Sequence, residues 1–332
     1  MRFRQAIVAA MTDEMTADES VIFFGEDVAA AEGPFKTSEG LLDTFGPIRV
    51  RDTPISEMAF TGAAVGAAMM GMRPVIEIMF MEFLGVALDQ LVTEAAKMRY
   101  LSNGTLSVPM VVRASSGAGV GFGSQHSQTL VNWVAATPGL KVVCPSDAQS
   151  AYSLIRAAIQ DPDPVMVLEP RALYAERGEV NTSVKFEIGK ARILRRGSDI
   201  TVVSLGQMVN ICRSAIDASG IDAELIDLAT IVPWDREAVL ESVKKTGRLV
   251  VVEEAPESGG WGSEIVATVT AQLFSSLKGA PFRITTPDVP VPYNGTLEAR
   301  FIPTAEDIAR QLAYALKTGE NPKTWWSLEG LK

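Results

Sequence analysis

The chain has 332 residues, enough for two hydrophobic cores, and a small scaffold dependent on disulfides or metal is excluded. Its 47% hydrophobic and 21% charged residues describe an ordinary globular protein, and a formal charge of -10 disfavours nonspecific attraction to nucleic acid or anionic lipid. Cys144 and Cys212 lie in or beside apolar runs without a CxxC pair, and the N-terminus shows neither an Arg-rich leader nor a long apolar segment, so the expectation is a cytoplasmic protein with two reduced thiols and no membrane span.

Arg4 to Met15 has the pattern of a helix, and Val21-Ile22-Phe23-Phe24 before Gly25 that of a buried strand. Glu26 to Pro54 reads as loop-rich. Ser56 is placed to cap a helix running from Glu57 through Met72, whose glycines and alanines leave little side chain on any face and permit close approach of another element. A strand is expected from Pro74 to Phe80, a helix from Phe83 to Leu101 and a strand from Val108 to Ala114. A Gly-rich loop then leads to a short helix from Gln125 to about Ala136. Leu140 to Val143 reads as a strand, Asp147 to Gln160 as a helix and Val165 to Leu168 as a strand; Ser146 and Gln149 have capping-box spacing.

From Glu169 to Asp199 the period is lost and charge rises, which marks a connector. Beyond it, strands are expected at Ile200 to Leu205, Ala223 to Leu228, Leu249 to Val252 and Phe282 to Thr285. Helices near Met208 to Ala218, Arg236 to Lys245, Trp261 to Leu273 and Ala305 to Leu316 separate or follow them. The fold class is therefore α/β, with two consecutive open domains, mainly parallel sheets and covering helices, divided as 1-180 and 181-332.

Common phosphate and nucleophile motifs fail. Gly117-Ala118-Gly119-Val120-Gly121-Phe122-Gly123 spaces its glycines at every second position and does not give GxGxxG, which disfavours a nicotinamide or flavin enzyme. Neither GxxxxGK[ST] nor GxSxG occurs. The glycine run by itself reads equally as a mobile surface loop. Its continuation, Ser124-Gln125-His126-Ser127-Gln128, places the sole histidine at an expected helix start, where a neutral imidazole can donate or accept a proton.

Arg51-Asp52-Thr53-Pro54-Ile55-Ser56-Glu57 resembles the signature of β subunits in the E1 component of pyruvate, branched-chain 2-oxo acid and acetoin dehydrogenases, a transketolase-like family. Gly25-Glu26-Asp27-Val28, Arg73-Pro74-Val75-Ile76-Glu77, Ala87-Leu88-Asp89-Gln90, Gln125-His126-Ser127-Gln128, Pro138-Gly139-Leu140-Lys141-Val142 and Val251-Val252-Glu253-Glu254 extend the resemblance in order over almost the whole chain. It implies a first domain that binds the pyrimidine end of thiamin diphosphate and a second, transketolase-like domain for assembly and docking. The diphosphate and Mg2+ would be held by an α subunit through Gly-Asp-Gly, a motif this sequence lacks.

Glu57 matches the family's cofactor-activating glutamate, which shares a proton with N1' of the aminopyrimidine; spacing alone would equally allow an early-helix acid favoured by the dipole. Phe83 matches the aromatic that packs on the pyrimidine ring, and Ile55 and Phe35 match positions near the same pocket, although all three would serve a core as well. His126 matches the histidine at the substrate end. Met110, Ala158, Asp161 and Asp163 match positions around a structural K+, the first two able to offer only backbone carbonyls; Asp161-Pro162-Asp163-Pro164 alone reads as a turn. The implied partners are an E1 α subunit in an α2β2 heterotetramer, a second β subunit and a lipoyl-bearing E2 acyltransferase. The implied reaction is decarboxylation of a 2-oxo acid such as pyruvate with reductive acylation of lipoamide, with cleavage of acetoin as one alternative and a noncatalytic scaffold of the same fold as the other.

Overall fold

Short, mostly apolar runs become strands, most of them parallel. In the computed structural model, which describes residues 1–327, they are in chain order β1 (Val21–Gly25), β2 (Val50–Asp52), β3 (Arg73–Ile78), β4 (Val111–Ser116), β5 (Lys141–Val143), β6 (Val165–Pro170), β7 (Arg192–Arg195), β8 (Ile200–Ser204), β9 (Ala223–Asp227), β10 (Thr230–Val232), β11 (Leu249–Pro256) and β12 (Phe282–Thr286). They build two sheets in two compact units. One unit comprises Met1–Gly117, Trp133–Ile188 and Ile231–Pro233; the other comprises Ala118–Asn132, Gly189–Thr230 and the chain from Trp234 on.

The first sheet has the order β10-β5-β6-β4-β3-β1-β2. Its β1 runs parallel to both neighbours, with Phe23 opposite Val50 and Val75. The central strands β4 and β6 are buried along their whole length, as expected when helices cover both faces. The helix Phe3–Ala17 buries Phe3, Ile7, Met11 and Met15 and packs on the helix Ala148–Gln160, which buries Ala151, Leu154, Ile155 and Ile159. The second sheet, β12-β11-β8-β9-β7, is parallel except at its edge, where β7 runs antiparallel to β9. The helix Ala305–Thr318 closes its core with Ile308 and Leu312, starting at a capping box between Thr304 and Asp307.

The α/β class with mainly parallel sheets is thus present in both units, while several local expectations are corrected. Within the stretch expected to be loop, Leu41–Arg49 is helical around a kink at Gly46-Pro47 and leads straight into β2. The expected helix from Phe83 to Leu101 is broken into a tight turn at Met81–Phe83, an α-helix Leu84–Leu88, a wide π-turn Asp89–Ala95 and a final turn Met98–Leu101. The expected helix from Gln125 is only Val131–Ala135, so Ser124 to His126 form a turn and His126 does not stand at a helix start. The cap of Ala148–Gln160 is Asp147 rather than Ser146: its carboxylate accepts from Ser150 N at 2.7 Å, and Ser150 Oγ accepts from Asp147 N at 2.9 Å. Inside the expected connector lies β7, an edge strand whose Arg192 and Arg195 pair with Asp227 and Asp217 at 3.2 and 2.6 Å; charge of this kind protects an open edge.

The glycine-rich helix Glu57–Met69 meets another element, as its composition suggested, and that element is in the same chain. A Cβ at Gly62 would stand 2.9 Å from Oε1 of Gln90 in the wide π-turn, whereas a Cβ at Gly66 would meet nothing within 4 Å.

Candidate active site

The start of the helix Glu57–Met69 brings two acids together. Helix N-termini carry backbone N–H groups without intrahelical partners and a partial positive charge, so carboxylates gather there. Ser56 is the residue before the helix, yet its side chain makes no capping bond. Instead the carboxylate of Glu26, just beyond the end of β1, accepts from the Ser56 backbone. Glu57 is 7% exposed and Glu26 8% exposed. Burial first, then the negative charges of Glu57 and Asp27, push the Glu26 carboxyl up to about 7, against the Ser56 N–H, which pulls it down. Oε1 of Glu26 is buried and has no hydrogen-bond partner among the described residues. One face of this helix start therefore offers a carboxyl group that holds its proton near neutral pH beside a second buried acid, an arrangement suited to sharing a proton with a ring nitrogen.

Phe35 and Phe83 meet through a residue the motifs did not single out. Phe80 stands edge-on to both, with ring centroids 5.8 Å away in each case, and the Arg171 guanidinium lies 4.9 Å from the Phe80 centroid. Phe35 also leans on Tyr174 at 5.4 Å. Ile55 is 85% exposed, two residues from buried Glu57, which gives this segment an apolar outer face and an acidic inner one. A cavity of about 650 Å³ lies nearby, lined by Phe24, Arg51, Thr53, Phe60, Ala63 and Met72; none of the predicted site residues lines it.

Beneath the site runs a buried ion network. Arg113 is fully buried on β4; its Nε and Nη2 donate to Glu169 at 2.7 and 3.2 Å, and its Nη1 lies 3.1 Å from Glu77. Tyr174 donates to Glu169 at 2.8 Å and Thr37 to Glu77 at 2.9 Å. Burial raises the Glu77 carboxyl, and Arg113 opposes that rise. With both carboxylates on its guanidinium, Arg113 is a structural charge, and the segment Arg113-Ala114-Ser115-Ser116 contributes no free cation for a substrate carboxylate.

His126 belongs to the second unit, with Ala118–Asn132. Its backbone N–H donates to Gly123 O at 3.3 Å, closing a turn, and Ser127 beside it is buried. The Val251-Val252-Glu253-Glu254 motif resolves into two carboxylates with separate duties. Glu253 accepts from Gly262 N at 2.9 Å and Arg283 Nη1 at 2.8 Å, while Glu254 accepts from Ala118 N at 2.6 Å.

The four residues matched to a cation site all lie in the first unit. Met110 O accepts from Val165 N at 3.0 Å, Ala158 O from Asp161 N at 3.3 Å, and the Asp161 carboxylate from Asp163 N at 2.9 Å. Both aspartate side chains already face cations. Lys141 Nζ lies 2.7 Å from each oxygen of Asp161, and Arg99 donates to Asp163. A bound monovalent ion would thus rely on carbonyl oxygens, each of which keeps a second lone pair. Motif reading missed the raised carboxyl of Glu26, although Gly25-Glu26-Asp27-Val28 was in view; only folding brings it to Ser56.

Residues 1–177 match the family model described as "Transketolase, pyrimidine binding domain", and residues 189–308 match "Transketolase, C-terminal domain". The chain is 45% identical to the mitochondrial pyruvate dehydrogenase E1 component subunit beta-2 of Oryza sativa subsp. japonica, over 93% of this chain and 85% of that one. It is 45% identical to the pyruvate dehydrogenase E1 component subunit beta of Rhizobium meliloti (93% and 68% covered), and 40% identical to the acetoin:2,6-dichlorophenolindophenol oxidoreductase subunit beta of Cupriavidus necator (97% and 99% covered). Among solved structures, a split-gene transketolase in an inactive β4 tetramer superposes with a TM-score of 0.78 at 24% identity, covering 96% of this chain and 99% of that one. A transketolase mutant from Pichia stipitis gives 0.71 at 16%, covering 98% and 47%. These two structures show the shared fold. Ordered motifs, two matched domain models and relatives at 40–45% identity over nearly the full length agree: the chain belongs to the β subunits of thiamin-diphosphate-dependent E1 dehydrogenases, within the transketolase-like family.

Proposed function

We propose that this chain activates thiamin diphosphate shared with an α subunit in an α2β2 heterotetramer that decarboxylates pyruvate, or a close 2-oxo acid, and acylates lipoamide on an E2 acyltransferase. The observation that carries the reading is the pair of buried acids at the start of Glu57–Met69, one with an unpartnered oxygen and a carboxyl pushed up to about 7. That chemistry fits an aminopyrimidine, whose N1' needs a proton held by a carboxyl group, and the aromatic chain through Phe83 fits its ring. Diphosphate and Mg2+ are assigned to the α subunit, because this sequence has no Gly-Asp-Gly.

Glu57 holds the shared proton at N1'. Glu26, itself protonated up to about pH 7, keeps a second full negative charge away from it. Bound thiamin diphosphate supplies the nucleophilic carbon and takes up the electron pair released when carbon dioxide leaves. Phe83 orients the ring, Ile55 and Phe35 bound the same pocket, and His126 orients the substrate or passes a proton during transfer to lipoamide. A structural K+ would sit on the carbonyls of Met110 and Ala158, beside Asp161 and Asp163. Cys144 and Cys212 are both buried and outside any disulfide, which supports a reducing, cytoplasmic setting.

Pyruvate is favoured by the names of the relatives at 45% identity, and acetoin is the second reading, carried by the relative that aligns over 97% of this chain. Coexpression with an α subunit bearing Gly-Asp-Gly, followed by lipoamide-dependent turnover on pyruvate, branched 2-oxo acids and acetoin, tests the proposal. Turnover on pyruvate is expected. Activity on acetoin alone would select the second reading, and an assembled complex that binds no thiamin diphosphate would overturn both.

A further inference from the structure

Between β4 and the turn that bears His126 the chain crosses a run of glycines that, free in solution, would have the widest backbone freedom of any residues. It is not free. The carboxylate of Glu298, at the end of the short helix Gly295–Glu298 and only 4% exposed, accepts three backbone bonds from this run: Oε1 from Gly119 N at 2.8 Å and Gly121 N at 3.2 Å, and Oε2 from Gly121 N at 2.9 Å. Just before it, Ala118 N donates to Glu254, and the Ala118 side chain packs with Val291 and Phe301. Just after it, Gly123 has φ +70°, and a Cβ there would stand 3.0 Å from the Tyr293 ring. All these contacts lie within the second unit.

We infer that Glu298 is a positioning residue for acyl transfer: its carboxylate fixes the glycine run that tethers His126. The inference rests on the proposal that His126 serves transfer to lipoamide. From Gly121 to His126 is five residues, which can span up to about 17 Å of extended chain, whereas a transferring group must be held to about 1 Å. Backbone N–H groups bound to a carboxylate make the stronger class of hydrogen bond, and two alternate residues bound to one carboxylate restrict the run at two points. Glu298 need not touch substrate or cofactor to act in this way.

The test uses the assembled complex with its α subunit and compares Glu298→Ala, Glu298→Gln, His126→Ala and the double variant Glu298→Ala/His126→Ala. Three readouts are taken: amide hydrogen exchange of residues 118–128, C2 proton exchange of bound thiamin diphosphate, and acyl transfer to lipoamide. For Glu298→Ala, exchange in 118–128 is expected to rise at least tenfold and transfer to fall 10- to 100-fold, with C2 exchange within twofold of wild type. Glu298→Gln keeps a side-chain oxygen for Gly119 and Gly121 and should recover most of the transfer rate; it also serves if the alanine variant fails to assemble. The double variant should transfer no more slowly than His126→Ala alone. Unchanged protection of 118–128, equal losses in C2 exchange and transfer, or multiplied defects in the double variant would overturn the inference. If His126→Ala transfers normally while Glu298→Ala still loosens 118–128 and slows transfer, the role given to His126 falls and the clamp then acts on another loop residue, which also overturns the inference as stated.

Discussion

Replacing Glu26 with glutamine tests the electrostatic reading of the candidate site directly. The folded carboxyl releases its proton near 7, and its ordinary value is 4.5. Between these values the folded state holds a proton that the unfolded state has lost, so the stability linked to Glu26 is complete below about pH 4.5 and declines as pH rises through 7. At about 1.4 kcal/mol per pH unit the full effect is about 3 kcal/mol; solvent screening around a helix start reduces it to about 1–2 kcal/mol. Glutamine keeps the oxygen that accepts from Ser56 but does not titrate. Urea unfolding of wild type and Glu26→Gln at pH 5, 6.5 and 8 should therefore show the variant gaining on wild type by about 1–2 kcal/mol between pH 5 and pH 8. Parallel pH dependence, with the difference constant to about 0.3 kcal/mol, would refute the claim that Glu26 carries a raised carboxyl.

In the assembled complex Glu57→Gln should fold and assemble normally while slowing C2 proton exchange of bound cofactor by about 100-fold or more; a rate close to wild type, read by NMR, would remove Glu57 from cofactor activation. His126→Ala should lower lipoamide-dependent turnover far more than it lowers cofactor affinity by titration calorimetry, and equal losses would point to pocket collapse. Arg113→Met strands the carboxylates of Glu77 and Glu169 without their buried cation and should cost about 3–5 kcal/mol in urea unfolding. A loss below about 1 kcal/mol would mean that the two acids find protons or water at little cost.

Much of the fold could be read from local pattern. Runs such as Val21 to Phe24 and Val165 to Leu168 are apolar because strands covered on both faces are apolar, and the helix Glu57–Met69 is visible in its small residues. Where local pattern failed, a distant partner was decisive. Arg192 to Arg195 looks like charged connector until Asp227 and Asp217 are placed against its arginines. The segment Phe83 to Leu101 has good helical composition throughout, yet it widens into a π-turn at Asp89–Ala95, where Gln90 meets the close approach of Gly62. The cap of Ala148–Gln160 moved by one residue, because Asp147 and Ser150 exchange bonds in both directions.

The sequence by itself determined the class of the fold, the family and the residues matched to cofactor chemistry, since periodicity and contiguous motifs are properties of neighbours along the chain. Only the tertiary structure decided that Glu26 stands at the head of the Glu57 helix with a carboxyl pushed up to about 7, that Arg113 is bound on both sides by acid, and that Glu298 grips Gly119 and Gly121. Each of these depends on burial and on polar groups brought together from 30 to 179 positions apart. Desolvation and hydrogen bonding act through space, and no spacing rule along a chain records them.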